Sequence, residues 1–399
     1  MSDASIARIH LKPGHIQPVW AGHPWVFAQA VATTQGAPEA GAEVVVCDPR
    51  GEALGRGLYS PRSAIAVRLF TRDPGRALDA DFFEQRVRRA VARRLARGLP
   101  SPDTTGYRAL HAEGDGLPGL VVDVLGEALA VQFGTVGLAA RAPALLDLLE
   151  QVFRPRAIVD RTSLKIAQQE GFAAELGVRR GDRALAAFAF LERGLAYEVP
   201  LTLAQKTGYY FDQRPLRARV EELSRGRRVL DTYTYVGSIA LAAARGGASE
   251  VVAVDTSAPA LEVGARIAHA NGLGDRVRFV HGDALAELER ARGAFDLVVC
   301  DPPKLAPNRT SAAKATQTMR RLGAAACGAL SDGGILVLSS CSAALGHTEL
   351  ARALALGARD VGREALVLER LFQGTDHPVP AAFPEGLYLS SIIAEVSVA

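Results

Sequence analysis

Residues 295–304 read FDLVVCDPPK, and residues 334–342 read GILVLSSCS. Each opens as a short, continuous apolar run of the kind a strand shows when both faces of a sheet are covered. The first run stops at Asp301-Pro302-Pro303-Lys304, the second at Cys341 between serines. Three more runs of this type precede them: RRVLD to Asp231, EVVAVD to Asp255 and VRFVHGD to Asp283. Helical patterns lie between them in SIALAAARGG, APALEVGARIAHANGL and SAAKATQTMRRLGAAACGAL. Strand–helix alternation predicts an α/β domain, a mostly parallel sheet with helices on both faces. Pro259 sits just inside a helix start, and Gly246-Gly247 and Asn271-Gly272 stand at helix ends, as capping chemistry requires. EGLYLSSIIAEVSV is expected as a last strand, antiparallel at the far edge of the sheet.

Ligands of open α/β sheets bind beyond the carboxyl ends of the strands. Four strands ending in acids and one in a cysteine therefore mark one rim, although any single acid there could equally cap a helix. LDTYTYVGS forms a tight loop in which Gly237 lets a ligand approach the backbone at a helix start. Asp255, at the next strand end, suits ribose hydroxyls. The loop is not GxGxxG, which disfavours a dinucleotide and a nicotinamide dehydrogenase. A nucleoside cofactor without phosphates fits, and S-adenosylmethionine is the common one. Asp283 would lie near its adenine amino group.

DPPK then stands beside the transferable methyl group. Proline has no N–H, so the backbone there is stiff and its carbonyls stay available. Asp301 can hydrogen-bond the ring edge of an unstacked base. Enzymes that methylate exocyclic amines often place an aromatic after such a motif, whereas here Lys304 follows. Cys341 offers other chemistry: a thiolate adding to carbon 6 of cytosine turns carbon 5 into a nucleophile. The alternative is a buried strand cysteine. Strand alternation turns Cys300 away from Asp301 and into the core, with Cys327. His347 follows Cys341 by six residues and reads as a surface histidine.

Upstream the chain divides further. Residues 1–75 are β-rich, in short apolar runs separated by Gly, Pro and Asp turns. Residues 76–190 read as a small α+β domain, and residues 191–399 as the α/β domain. In ADFFEQRVRRAVARRLARGL, Arg86, Arg89, Arg93 and Arg97 form a stripe that either is a solvated face or tracks RNA phosphates. LAQKTGYYFDQRPLR either closes over the cofactor or merely links domains. Across 399 residues the formal net charge is +3, which permits nucleic acid without pointing to it. The four cysteines have no CxxC spacing, which argues against a disulfide framework or zinc site. The N-terminus lacks an apolar signal core and no run reaches membrane-spanning length, so a cytoplasmic protein is expected.

Together QKTGYYFDQR, VVAVDTSAPALE, DPPK, SSCS and HPVPAAFPEGLYL resemble the bacterial ribosomal RNA large subunit methyltransferase I family. GHPWVFAQAV, RGLYSPRSAIAVR, EGDGLPGLVVD and IVDRTSLKIAQQEG extend the resemblance over nearly the whole chain. It implies an N-terminal PUA RNA-binding domain, a central α+β domain and a Rossmann-like class I methyltransferase domain. The implied activity is formation of 5-methylcytosine in 23S rRNA, free or in a large-subunit precursor, from S-adenosylmethionine. The resemblance implies no membrane partner and leaves a homodimer open. By position, Cys341 is the nucleophile, Asp301 the base-positioning acid, and Pro302, Pro303 and Lys304 flank the base. The implied cofactor set is Gln205, Lys206, Thr207, Gly208, Tyr210, Asp212 and Arg214, then Asp231, Tyr233, Tyr235 and Gly237. Asp255, Thr256, Asp283, Ala284 and Asp301 complete it, and no metal is expected. The chain departs from the family in two places. Ser238 stands where a second loop glycine is usual, and TQTMRRLGAAACG lacks a Tyr-Lys pair.

Overall fold

The computed structural model describes residues 6–305, 312–342 and 344–399. The chain forms two compact units, Met1–Tyr209 with Thr375–Gly386, and Tyr210–Gly374 with Leu387–Ala399. Among the described residues no helix is long and apolar enough to cross a membrane.

The first unit holds a six-stranded sheet over residues 7–71 and a five-stranded sheet over residues 106–181, followed by a hairpin of Ala187–Glu192 with Leu195–Pro200. Ala80–Leu95 is helical, capped by Asp79, whose side chain accepts from the Phe82 amide. Its arginine stripe is not a free cationic track. Arg86 donates to the Phe70 carbonyl and lies over the Phe82 ring at 5.0 Å. Arg93 is held by Asp115 and the Gly114 carbonyl, and Arg97 donates to the Arg93 carbonyl. Packing of the helix within its unit engages Arg86 and Arg93, while Arg89 and Arg97 stay exposed. Segment Thr375–Gly386 is built into the same unit. The Asp376 carbonyl accepts from Arg94 at 2.7 Å, its carboxylate accepts from the Arg108 amide at 3.0 Å, and Phe383 packs edge-on against Trp25 at 4.6 Å.

The second unit carries a seven-stranded sheet. Its strands are β1 (Arg228–Thr232), β2 (Glu250–Asp255), β3 (Val277–His281), β4 (Phe295–Cys300), β5 (Leu330–Ser340), β6 (Arg363–Leu371) and β7 (Ser390–Val398). Their order is β3-β2-β1-β4-β5-β7-β6; all neighbours are parallel except β7, which runs antiparallel to β5 and β6. The helices are α1 (Arg214–Leu223), α2 (Ser238–Arg245), α3 (Ala258–Ala270), α4 (Ala284–Ala291), α5 (Ala312–Ala329) and α6 (His347–Asp360). Leu230, Val254, Val298, Leu336, Leu338 and Ile392 pack with Met319, Leu350 and Leu354 in one core. Each fully buried Val or Leu side chain there contributes about 1.5–3 kcal/mol. Ser257 caps α3 ahead of Pro259, and Gly272 ends it at φ +67°, so the capping chemistry expected from the sequence is present.

Two expectations need correction. The closing strand is not at the edge: β7 lies between β5 and β6. The true edge is β6, REALVLERL, whose charged ends and half-exposed pattern hide it among linkers. Nor do all four acids end their strands. Asp231 lies inside β1, one residue before its end, and Asp283 follows β3 by two residues.

Candidate active site

The register of the parallel strands fixes which residues share the rim. Thr232 pairs with both Val254 and Cys300, and Cys300 pairs with Leu338. The chain therefore leaves β1, β2, β4 and β5 on one edge, at Tyr233, Asp255, Asp301 and Cys341.

The loop after β1 is unusual in its backbone. Tyr233, Tyr235 and Gly237 all have positive φ, at 60°, 53° and 81°. Two of these are bulky residues in a conformation that costs about 1–2 kcal/mol each, and such strain concentrates at ligand sites. The loop is held by Asp255, whose Oδ2 accepts from the Tyr235 amide at 2.8 Å and Oδ1 from the Ser257 amide at 2.9 Å. Gly237 then caps α2, and a Cβ at this position would stand 2.8 Å from the Phe279 ring. Ser238 is the first residue of α2, where the backbone is helical. The second family glycine is dispensable there because only Gly237 needs the left-handed conformation.

Asp231 supports the loop from beneath. It is 1% exposed; its Oδ2 accepts from the Thr234 hydroxyl and from the Ala240 amide, and its Oδ1 has no partner among the described residues. Burial, with Asp301 and Asp255 nearby, raises its pKa from 3.8 to about 7. Because the folded value is the higher one, its contribution to stability is complete below pH 3.8 and is lost as pH rises through about 7. The gap corresponds to about 4 kcal/mol at most. Asp231→Asn is expected to gain thermal stability over the wild type at pH 8, without added cofactor, and the difference should shrink towards pH 4. An equal difference at both pH values would contradict this.

Segment Tyr210–Arg214 belongs to the same unit. Asp212 accepts from the Tyr388 hydroxyl at 2.8 Å, its carbonyl accepts from the Gly374 amide, and Arg217 donates to the Tyr210 carbonyl at 3.0 Å. Arg214 lies over the Phe211 ring. Tyr210 meets Tyr235 edge-on at 5.8 Å. Burial, then Tyr235, Asp212, Asp301 and Cys341, push its phenol ionisation upward, which places Tyr210 within electrostatic reach of all four. Gln213, which lies in the stretch expected to close over the cofactor but is not among the individual residues expected to hold it, donates from Nε2 to Asp301 Oδ2 at 2.8 Å. Its pairing with Asp301 has no local signal, because its partner is 88 residues away in sequence.

The cysteines separate clearly. Cys47, Cys300 and Cys327 are buried, and burial pushes the last two thiols up to about 12. Cys341 is half-buried, in a turn where Ser340 Oγ accepts from the Ser342 amide at 3.2 Å. Pro302 is buried, while Pro303 and Lys304 are exposed. His347 is directed elsewhere, with Nε2 on the Leu371 carbonyl at 2.9 Å and its ring against Phe372.

The remaining expected residues divide. Asp283 is exposed and caps α4, accepting from the Ala286 amide at 2.9 Å, with Ala284 buried behind it. Thr256 is exposed, and its carbonyl faces His281 Nε2. Gln205–Gly208 are part of the first unit. There Gln205 and Gly208 form a bridge, Lys206 has φ +50°, and the buried Thr207 hydroxyl donates to Asp123.

These features fit an adenosyl cofactor. Each Asp255 oxygen has taken one backbone amide and keeps capacity for a ribose hydroxyl, and the backbone at Gly237 is bare of side chain at a helix start.

Comparison with known proteins agrees. Residues 9–72 match the PUA-like domain, and residues 123–382 match the S-adenosylmethionine-dependent methyltransferase family. Ribosomal RNA large subunit methyltransferase I of Shewanella denitrificans is 36% identical over 394 residues, covering 98% of this chain and 99% of its own. The Escherichia coli O157:H7 protein of that name is 35% identical over 397 residues, with the same coverage. A methyltransferase structure solved with S-adenosylhomocysteine shares the fold at TM-score 0.84 and 18% identity, covering 97% of this chain and 99% of its own. The chain belongs to the S-adenosylmethionine-dependent methyltransferases of the ribosomal RNA large subunit methyltransferase I family.

Proposed function

We propose that the protein methylates carbon 5 of a cytosine in 23S ribosomal RNA, through a transient bond between the base and Cys341. The relatives' names support ribosomal RNA of the large subunit as substrate, and one observation supports the chemistry. Of four cysteines only Cys341 escapes burial, and it directly follows β5, the strand paired with β4, which Asp301 directly follows. A buried structural thiol has no need of that place.

When bound, S-adenosylmethionine supplies an electrophilic methyl group. Cys341 Sγ, as thiolate, forms a bond to carbon 6 of the ring, and the C5=C6 electron pair moves to carbon 5. Asp301, on the ring edge, holds the base in register; the ring nitrogen takes a proton from water as the adduct forms, the Asp301 carboxylate stabilises it there, and the nitrogen gives it back when Sγ departs. Once carbon 5 carries the methyl group, its proton leaves to a base, the double bond re-forms and Sγ departs as thiolate. Tyr233, Tyr235, Gly237, Asp255 and Asp283 would hold the cofactor, with Tyr210–Arg214 contributing from the segment before α1. Pro302, Pro303 and Lys304 would flank the base. Residues 1–75 would grip RNA, residues 76–190 would form the central part, and residues 191–399 would carry the chemistry.

The test is methyl transfer from labelled cofactor to unmodified 23S rRNA, followed by nucleoside mass spectrometry. The expected product is 5-methylcytosine. A methylated base nitrogen in its place would overturn the assignment of carbon 5.

A further inference from the structure

Gln213 is 6% exposed, and its two amide atoms stand in different situations. An ionised carboxylate only accepts, so the atom on Asp301 Oδ2 is Nε2. Oε1 is then the other atom, buried and without a hydrogen-bond partner among the described residues. A buried amide oxygen left unmatched carries its full desolvation cost. The side chain is also not free to relax. Gln213 ends the short 3-10 turn Phe211–Gln213 and precedes α1. That turn is anchored through Asp212 to Tyr388 and Gly374, and through the Tyr210 carbonyl to Arg217.

We propose that Gln213 is a positioning and selectivity residue of the methyl-transfer site: Nε2 fixes the rotamer of Asp301, and Oε1 is an acceptor held for an N–H donor of the bound ligand. This rests on the reading that Asp301 faces the target base. A base with an exocyclic amine supplies such a donor at its ring edge, and a base with only carbonyls there does not. The cofactor's ammonium group has the same donor chemistry, and the two sources separate experimentally. Tyr210, Asp231 and Cys300 are the ionisable groups whose charge senses Asp301. All three disfavour a second negative charge, whereas the neutral Gln213 amide donates to the carboxylate at 2.8 Å.

Two variants of the full-length protein test this, each read by calorimetry with S-adenosylmethionine and by steady-state methyl transfer to unmodified 23S rRNA. Gln213→Met keeps the volume and removes both polar atoms. It is expected to lower kcat by about 30-fold or more, since truncating one partner of a charge-assisted hydrogen bond costs about 2 kcal/mol. If Oε1 serves the base, cofactor Kd stays unchanged and KM for RNA rises; if it serves the ammonium group, cofactor Kd weakens by a similar factor. Gln213→Glu keeps an acceptor in place of Oε1 and sets a carboxylate against Asp301. Its acid limb in the pH–rate profile is expected to move to higher pH, because the pair must share a proton before either can act alone. A packing role would not move that limb. Cofactor Kd, kcat and KM all within about twofold of wild type in Gln213→Met, or an unmoved acid limb in Gln213→Glu, would overturn the proposal. The product base identified with the wild type reports separately on the carbon-5 reading.

Discussion

Cys341→Ala is expected to lose methyl transfer by on the order of 10³-fold or more, while binding S-adenosylmethionine as the wild type does. The size follows from the chemistry. Carbon 5 of cytosine is not nucleophilic until carbon 6 carries an electron-rich substituent, so removing the thiol removes a step and not merely a contact. The cofactor should be indifferent, because its expected contacts lie on β1, β2 and the segment before α1, whereas Cys341 follows β5. Fold stability should also be nearly unchanged, since the side chain is half-buried and the turn is braced by Ser340 and Ser342. RNA carrying 5-fluorocytidine sharpens the test. Fluorine cannot leave as a proton, so the Sγ–C6 bond should persist and yield a protein–RNA adduct on a denaturing gel. The adduct should form with the wild type and not with Cys341→Ala. Full methyl transfer by Cys341→Ala would sink the covalent mechanism and point to a base nitrogen as the acceptor.

The same comparison shows what the sequence could and could not reveal. β1 to β5 were legible because strands covered on both faces read as unbroken apolar runs, ended by Asp, Pro or Gly. Cys300 and Cys341 were separable because side chains alternate along a strand. The failures differ in cause: Gln213 has a partner distant along the chain, whereas Asp231 and Asp283 are engaged by backbone and side chains nearby. Gln213 sits in a run of polar and aromatic residues where nothing local marks it, and its meaning comes from Asp301. Asp231 reads as a rim acid, yet it is sealed under the loop it supports, because Thr234 and the α2 amide at Ala240 fold back onto it. Asp283 was expected at adenine and is a helix cap; that does not exclude a ligand contact, since its side chain is exposed. Segment Thr375–Gly386 has no periodicity, so its place in the first unit is set by the ties of Asp376 and Phe383.

Replacing Gly237 should have the second largest effect, and a neighbouring glycine supplies the control. Two costs apply at Gly237. Its φ of 81° penalises any side chain by about 1–2 kcal/mol, and a Cβ would meet Phe279 at 2.8 and 3.0 Å. The ring is hemmed in: Gly264 of α3 is so close that a Cβ there would lie 2.7 Å from the same ring. Relief must therefore come from the loop, which moves the backbone expected to cradle the cofactor. Gly237→Val is expected to weaken S-adenosylmethionine binding by on the order of 10²-fold, because a β-branched residue at positive φ adds strain to the clash. Gly272→Ala isolates the backbone cost. Its φ is 67° and nothing lies within 4 Å of the added Cβ, so about 1 kcal/mol of stability should go with no change in cofactor affinity. Phe279→Leu, which deletes the clashing ring atoms, should restore about tenfold of the affinity lost in Gly237→Ala. Should Phe279→Leu restore nothing, the loss would belong to the backbone alone, and the ring would have no part in shaping the loop.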